Sequence, residues 1–363
     1  MIGIKDSMFR LLVSLIFVTV FSCQPPESEE VGKESSVPDI PEQTRTYTNP
    51  VIQASCADPT LLDNRAKDGY FYAYTTQASG KTLPIYRSKD LVDWEVVEGG
   101  FEKGKEPAWT QSKASLWAPD INFVDGKYVL FYSLGIWNDV IQSASGVAVA
   151  ASPKGPFKDL GKIVDYSTIG VKNAIDPCFF RDGDNKYLYF GSYGKSSGIW
   201  VVELDDDAVS LKAGATPVKL AGDEKEGAYV MKKDGYYYLF ASQGSCCEHA
   251  ASTYHVVVGR SSSPFGPFSS KSGMSMIDTK DYDQIVVTSP SNKSFAGPGH
   301  NSKIIQDDAG QYWMLLHSYH KGDDYKDRQL CLEQILWTSD GWPYTKNRTV
   351  SLSAKAPIFK GQL

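Results

Sequence analysis

The 363-residue chain is short of histidine, cysteine and uninterrupted apolar sequence, and positive charge is not in excess. Lys and Arg number 37 against 43 Asp and Glu, a formal charge of −6. The basic face that neutralises phosphates is therefore missing, which excludes a general nucleic-acid binder. No apolar run approaches the roughly 20 residues of a membrane-spanning helix. None of the six Cys shows C-x-x-C spacing, so a zinc site is not indicated. Helical periodicity is nearly absent. What is present is a globular balance of 42% hydrophobic and 22% charged residues. With it come 21 Tyr, 16 Phe and 8 Trp, a level that points to β structure, to sugar-binding surfaces, or to both.

The amino terminus reads as an export signal. Lys5 and Arg10 precede an apolar run over residues 11–21, the length of a signal-peptide core. Cys23 follows, and behind it the acidic, Pro-containing stretch Gln24-Pro25-Pro26-Glu27-Ser28-Glu29-Glu30. The segment resembles a bacterial lipoprotein signal, which implies cleavage after residue 22, acylation of Cys23 and a flexible tether over residues 23–48. On that reading the protein is an exported lipoprotein of the cell envelope, held to a membrane by its lipid; a plain secretory signal is the alternative. Five cysteines remain after Cys23. An odd number argues against a disulfide framework, and most are expected to be buried. Adjacent Cys246 and Cys247 have the option of a vicinal disulfide in an oxidising compartment.

The rest of the chain repeats one phrase five times. An acidic or polar residue beside Pro or Gly opens a strand, a turn follows, and a Tyr-rich strand returns. The heads are Ala57-Asp58-Pro59, Ala118-Pro119-Asp120, Ile175-Asp176-Pro177, Glu226-Gly227-Ala228 and Gly299-His300-Asn301. The turns behind them are Asp68-Gly69, Asp125-Gly126, Asp182-Gly183, Asp234-Gly235 and Ala309-Gly310. Asp-Gly between strands is the strongest local hairpin signal. A unit of about 50–70 residues is too small to bury a core alone, so five stacked radially predict an all-β, five-bladed β-propeller over residues 49–363. The innermost strands then converge on one axis, and the heads Asp58, Asp120, Asp176, Glu226 and His300 are expected to ring one end of it. Four acids and a histidine lining a cavity are costly unless paired, solvated or functional.

Export, aromatics and converging carboxylates fit glycoside hydrolysis. An inverting glycosidase needs one carboxylate to activate water and one carboxylic acid to protonate the leaving oxygen, roughly 6.5–9.5 Å apart. A third carboxylate nearby keeps the acid protonated by like-charge repulsion.

The matching words run in order: Ala57-Asp58-Pro59, Ser115-Leu116-Trp117-Ala118-Pro119-Asp120, Asn173-Ala174-Ile175-Asp176-Pro177, Glu226-Gly227-Ala228-Tyr229, Gly244-Ser245-Cys246-Cys247 and Gly297-Pro298-Gly299-His300-Asn301. Together they make residues 49–345 resemble glycoside hydrolase family 43, most of all its endo-α-1,5-L-arabinanases. The resemblance implies Asp58 as general base, Glu226 as general acid and Asp176 as the carboxylate that tunes and orients the acid. Asp120 is read as a structural brace. His300 matches a histidine that the family places on the axis near a hydrated metal ion, which implies one Ca2+ held by His300 and waters. Substrate contacts are implied for Asn173, Ala174, Ile175, Ser192, Tyr193 and Gly194, and Trp117 is expected to stack on a sugar face. Trp137 either extends the groove or simply packs. The fourth head departs from the family in having Ala228 where Pro is usual. The expected partner is arabinan, and the expected state a monomer. An exo-acting arabinofuranosidase or β-xylosidase of the same family is the second reading, and a glycan-binding propeller without turnover the third.

Three other patterns carry less. Gly194-Lys195-Ser196-Ser197-Gly198 fits G-x-S-x-G, but strand sequence follows where a nucleophile elbow needs a helix. Asp182-Gly183-Asp184-Asn185 lacks the downstream Glu of a calcium loop. His317 and His320 fall on opposite faces of a strand, a poor metal pair.

Overall fold

The computed structural model describes residues 44–109, 114–278 and 280–360. The signal segment and most of the tether, Cys23 included, lie outside the described residues. Five antiparallel sheets follow in chain order. Blade one begins with Thr60–Asp63, blade two with Ser115–Val124, blade three with Cys178–Asp182, blade four with Lys225–Lys233 and blade five with Phe295–Gly299. The fold is the five-bladed β-propeller that the repeats predict. Asp125-Gly126 and Asp234-Gly235 each close a two-residue hairpin, joining Val124 to Lys127 and Lys233 to Tyr236, with positive φ at all four turn residues. Blade one substitutes a short helix, Arg65–Asp68, before its Gly69.

The core lies between blades rather than within them, which is why no unit stands alone. Leu62, Tyr72 and Tyr74 of blade one pack with Leu116, Tyr128 and Tyr132 of blade two. Phe131 of blade two stacks on Phe179 of blade three at 5.8 Å between ring centroids. One large cluster joins blades three, four and five, and Trp313, Leu315 and Leu332 of blade five meet Leu61 and Phe71 of blade one. The last contact closes the ring.

Closure also uses the chain ends. Thr46–Thr48 pairs with Ser353–Lys355, so the folded body includes residues before position 49, where the expected boundary stood. The preceding reading missed this strand because Thr-Tyr-Thr is too short to show a period. Asn49 then clasps blade five: its Nδ2 donates to the carbonyl of Leu332 and to Glu333 Oε1, both at 3.0 Å, and its Oδ1 accepts from the Leu332 N–H at 2.9 Å.

Glu333 is the titratable part of that clasp. Its Oε1 also accepts from the Ser351 N–H at 2.7 Å and Ser351 Oγ at 2.8 Å. Burial nevertheless pushes its carboxyl up to about 8. The folded value lies above the unfolded one, so the stability it contributes is complete below about pH 4.5 and is lost as pH rises through 8. Glu333→Gln keeps an accepting oxygen and cannot ionise. The variant is expected to melt roughly 5 °C above wild type at pH 9, with the gap closing by pH 5; calorimetric melting at both pH values checks it.

Candidate active site

Each blade carries, in or beside its innermost strand, one residue in the left-handed region: Asp58 (φ 53°), Ala118 (39°), Asp176 (56°), Gly227 (59°) and His300 (48°). A side chain at the end of the previous blade's second strand captures the exposed N–H in four of the five. Asp58 donates to His317 Nδ1 at 3.0 Å, Ala118 to Thr76 Oγ1 at 3.0 Å, Asp176 to Ser133 Oγ at 2.9 Å and His300 to Ser242 Oγ at 2.8 Å. In the fourth blade the equivalent hydroxyl, Ser192 Oγ, donates instead to Glu226 Oε2. Backbone strain at these positions is thus offset by fixed hydrogen bonds that aim the side chains.

The result is one cavity of about 350 Å³ lined by Asp58, Asp176, Glu226, His300 and Arg328. Trp117, Trp137, Ile175, Tyr193 and the Cys246–Cys247 pair form its walls. That pair is disulfide-bonded, while Cys56, Cys178 and Cys331 are buried free thiols. Gly135 lets Trp117 lie flat, since a Cβ there would come within 1.8 Å of the indole ring. Trp137, 69% exposed, meets Trp117 edge-on at 6.2 Å and carries the apolar wall out to the rim.

Asp120 does not join the ring. Ala118, not Asp120, occupies the left-handed entry position of blade two, and the strand pairing shifts register between Trp117 and Asp120. Asp120 therefore sits two residues down the strand, buried, where it accepts from the Phe179 N–H (2.7 Å), Asn122 Nδ2 (2.9 Å) and Thr60 Oγ1 (3.1 Å). Lys303 Nζ of blade five stands 3.2 Å away. Asp120 braces four blades, the structural role that the sequence reading gave it.

Of the other predicted contacts, Trp117, Asn173, Ile175, Ser192 and Tyr193 line the cavity. Ala174 does not: it is fully buried behind the wall, its carbonyl accepting from Ser145 Oγ at 2.8 Å. Gly194 opens on a neighbouring depression, its N–H turned to the Asp223 carbonyl.

The electrostatics divide the three carboxylates. Burial raises the Asp58 carboxyl, but Arg328, His300, His317 and the Thr76 hydroxyl together hold it below the ordinary range, so Asp58 is ionised. Arg328 Nη1 is 3.2 Å from Asp58 Oδ1, and Thr76 Oγ1 donates to Oδ2 at 2.6 Å. Asp176 is pushed well up by burial, then by the charges of Glu226 and Asp58. Glu226 is also raised by burial, against the pull of the Ser192 and Tyr254 hydroxyls, Tyr254 donating to Oε1 at 2.7 Å. Two buried neighbouring carboxyls titrate as a unit, and both members of this pair are pushed up. One carboxyl held low and two pushed up thus line a single cavity with aromatic walls.

Residues 47–343 match glycosyl hydrolases family 43. The chain belongs to that family. An extracellular exo-α-(1→5)-L-arabinofuranosidase of Cellvibrio japonicus is 32% identical over 320 residues, covering 80% of this chain and 86% of its own. An extracellular endo-α-(1→5)-L-arabinanase of Bacillus subtilis is 30% identical over 298 residues, covering 79% and 86%. Among solved structures, the Cellvibrio cellulosa α-L-arabinanase complexed with arabinohexaose superposes with a TM-score of 0.71 at 29% identity, over 81% of this chain and 96% of that one. This family 43 protein is thus a glycoside hydrolase of arabinanase type by relationship, and its relatives include both endo- and exo-acting enzymes.

Four residues of the site were given no site role from sequence: Arg328, His317, Tyr254 and Thr76. A signal for two of them exists. Thr76, Ser133, Ser192, Ser242 and His317 each lie late in, or just after, the Tyr- or Leu-rich second strand of a blade, a hydrogen-bonding residue near the same point five times. Arg328 and Tyr254 lie outside any repeated word.

The expected metal finds a poor donor set. Among the described residues no group of three or more His, Cys, Asp or Glu side chains is arranged to hold an ion. His317 spends Nδ1 as an acceptor for the Asp58 N–H, which puts its proton on Nε2 and removes it as a ligand. His300 remains, beside a guanidinium. The residues present do not fit a calcium ion.

Proposed function

We propose that this protein is an inverting hydrolase that cleaves internal α-1,5-linked L-arabinofuranosyl bonds of arabinan. The observation that carries the reading is the meeting of Asp58, held low, with Asp176 and Glu226, both pushed up by burial, in one aromatic-walled cavity. Asp58 takes a proton from a water, whose oxygen attacks the anomeric carbon. Glu226 gives its proton to the departing oxygen as the glycosidic bond breaks, and Asp176 keeps that proton on Glu226 beforehand. Trp117 stacks on a furanose, and Asn173, Ile175, Ser192 and Tyr193 hold sugar hydroxyls or the groups around them. The wall that Trp137 prolongs to the rim supports binding of a chain that continues past the cleaved bond. The exo-acting reading is favoured by the Cellvibrio japonicus relative, whose name describes an arabinofuranosidase.

Several relatives are named extracellular. We place the protein in the same setting: an exported monomer, tethered to a bacterial membrane through lipid on Cys23, meeting arabinan at the cell envelope. The deciding experiment is a product time course on linear α-1,5-arabinan with anomers read by NMR. A ladder of short oligosaccharides with inverted reducing ends is expected. Release of arabinose alone assigns exo action, and arabinan binding without products leaves a glycan-binding propeller.

A further inference from the structure

We infer that Arg328 supplies the fixed positive charge at the centre of the blade ring, so that the protein works without a bound divalent ion. The inference rests on the proposed hydrolytic role of Asp58. Arg328 opens the strand Arg328–Trp337 of blade five and lines the catalytic cavity. Its Nη1 stands 3.2 Å from Asp58 Oδ1, closer than His317 Nδ1 at 3.3 Å or His300 Nδ1 at 3.4 Å. The three groups converge on one carboxylate oxygen.

Of the three, only the guanidinium is permanently charged. The Gly227 Cα packs against the His300 ring, where a Cβ would come within 3.1 Å of Nδ1. That packing holds His300 against Asp58 and leaves its Nδ1 no room for an ion and its waters. A hydrated divalent cation on the remaining nitrogen would share the cavity with the like charge of Arg328, with Asp58 already engaged. A guanidinium does what such an ion would do for Asp58: it keeps the carboxylate ionised and oriented. It does so at any calcium concentration. Arg328 is thus a positioning residue for the general base.

The test uses the full-length protein stripped with EDTA, with and without added CaCl2. Hydrolysis of linear α-1,5-arabinan is expected to be equal in the two, and calorimetric titration with CaCl2 to give no binding heat. Loss of activity in EDTA restored by calcium, or stoichiometric calcium binding by the wild type, overturns the inference. Arg328→Ala is expected to lose about 100-fold in kcat, with at least about a tenth of the wild-type rate returning in millimolar guanidinium chloride and none in equimolar methylammonium. Because the alanine variant removes packing as well as charge, Arg328→Lys and Arg328→Met are compared. The lysine variant retains more activity than methionine if the charge matters; equal losses, or no rescue by guanidinium, overturn the inference. If the wild type hydrolyses no arabinan, the functional proposal fails, while the calcium titration still decides this one.

Discussion

Glu226→Gln is expected to lower kcat on linear arabinan by about 10³-fold while leaving the affinity for arabino-oligosaccharides within a few-fold. The substitution is close to isosteric, and its surroundings tolerate it. Ser192 Oγ and Tyr254 Oη both donate to the carboxyl now, and a hydroxyl that donates to an oxygen can turn to accept from an amide N–H. The fold is therefore kept and the transferable proton is lost. A substrate with an acidic leaving group, such as an aryl arabinofuranoside, leaves without protonation. On that substrate the variant should recover most of its rate, whereas Asp58→Asn should be equally slow on both because water still has to be activated. Measuring both variants on both substrates separates acid from base. Equal losses for Glu226→Gln on the two substrates would remove Glu226 from the acid role.

Asp176→Asn should move catalysis and stability in opposite directions. Asp176 sits at φ 56°, a conformation that Asn adopts readily, so the backbone accepts the change. Asp176 and Glu226 titrate as a unit, in which the charge of Glu226 is among the causes that raise Asp176, and the Gly227 N–H reaches the Asp176 carboxylate. Replacing one member of a coupled pair by an amide removes its upper titration step. The alkaline limb of the kcat–pH profile is expected to shift down by about one unit or more, and kcat at neutral pH to fall by roughly 10²-fold. Stability goes the other way. Both carboxyls have folded values above their unfolded ones, so their contribution is complete below about pH 4 and is lost as pH rises through the folded values. An amide has no such loss. Asp176→Asn should therefore melt several degrees above wild type at pH 8, with the difference shrinking toward pH 4. A variant that melts lower at pH 8 would show that the buried charge is better compensated than its surroundings indicate.

Much of the fold was readable because its rules are short-range. Asp125-Gly126 and Asp234-Gly235 close hairpins by their own backbone preferences, and Tyr-rich strands beside them need only their nearest partner. Repetition then supplied the rest: five units that cannot bury a core singly have to stack. Asp58, Asp176 and Glu226 were readable for the same reason, since each stands at a head that the repeat marks. Asp120 shows where that logic overreaches. Its proline neighbour matched the other heads, but a one-position difference in strand entry sent the carboxylate into the body of the ring, and no pattern of residue types reports a register shift.

Arg328 and His317 mark the opposite limit. Both meet Asp58 across sequence separations of 270 and 259 residues. Each looks, in its own strand, like an ordinary residue of a sheet. By itself the sequence determined five antiparallel units, their radial stacking and the three acids available for chemistry, because hairpin turns and apolar alternation act over a few residues. The tertiary structure alone decided which acid is ionised, which pair shares a proton and what charge stands at the axis. Those properties depend on burial and on distances of about 3 Å between blades, and they come into being only when the last blade closes on the first.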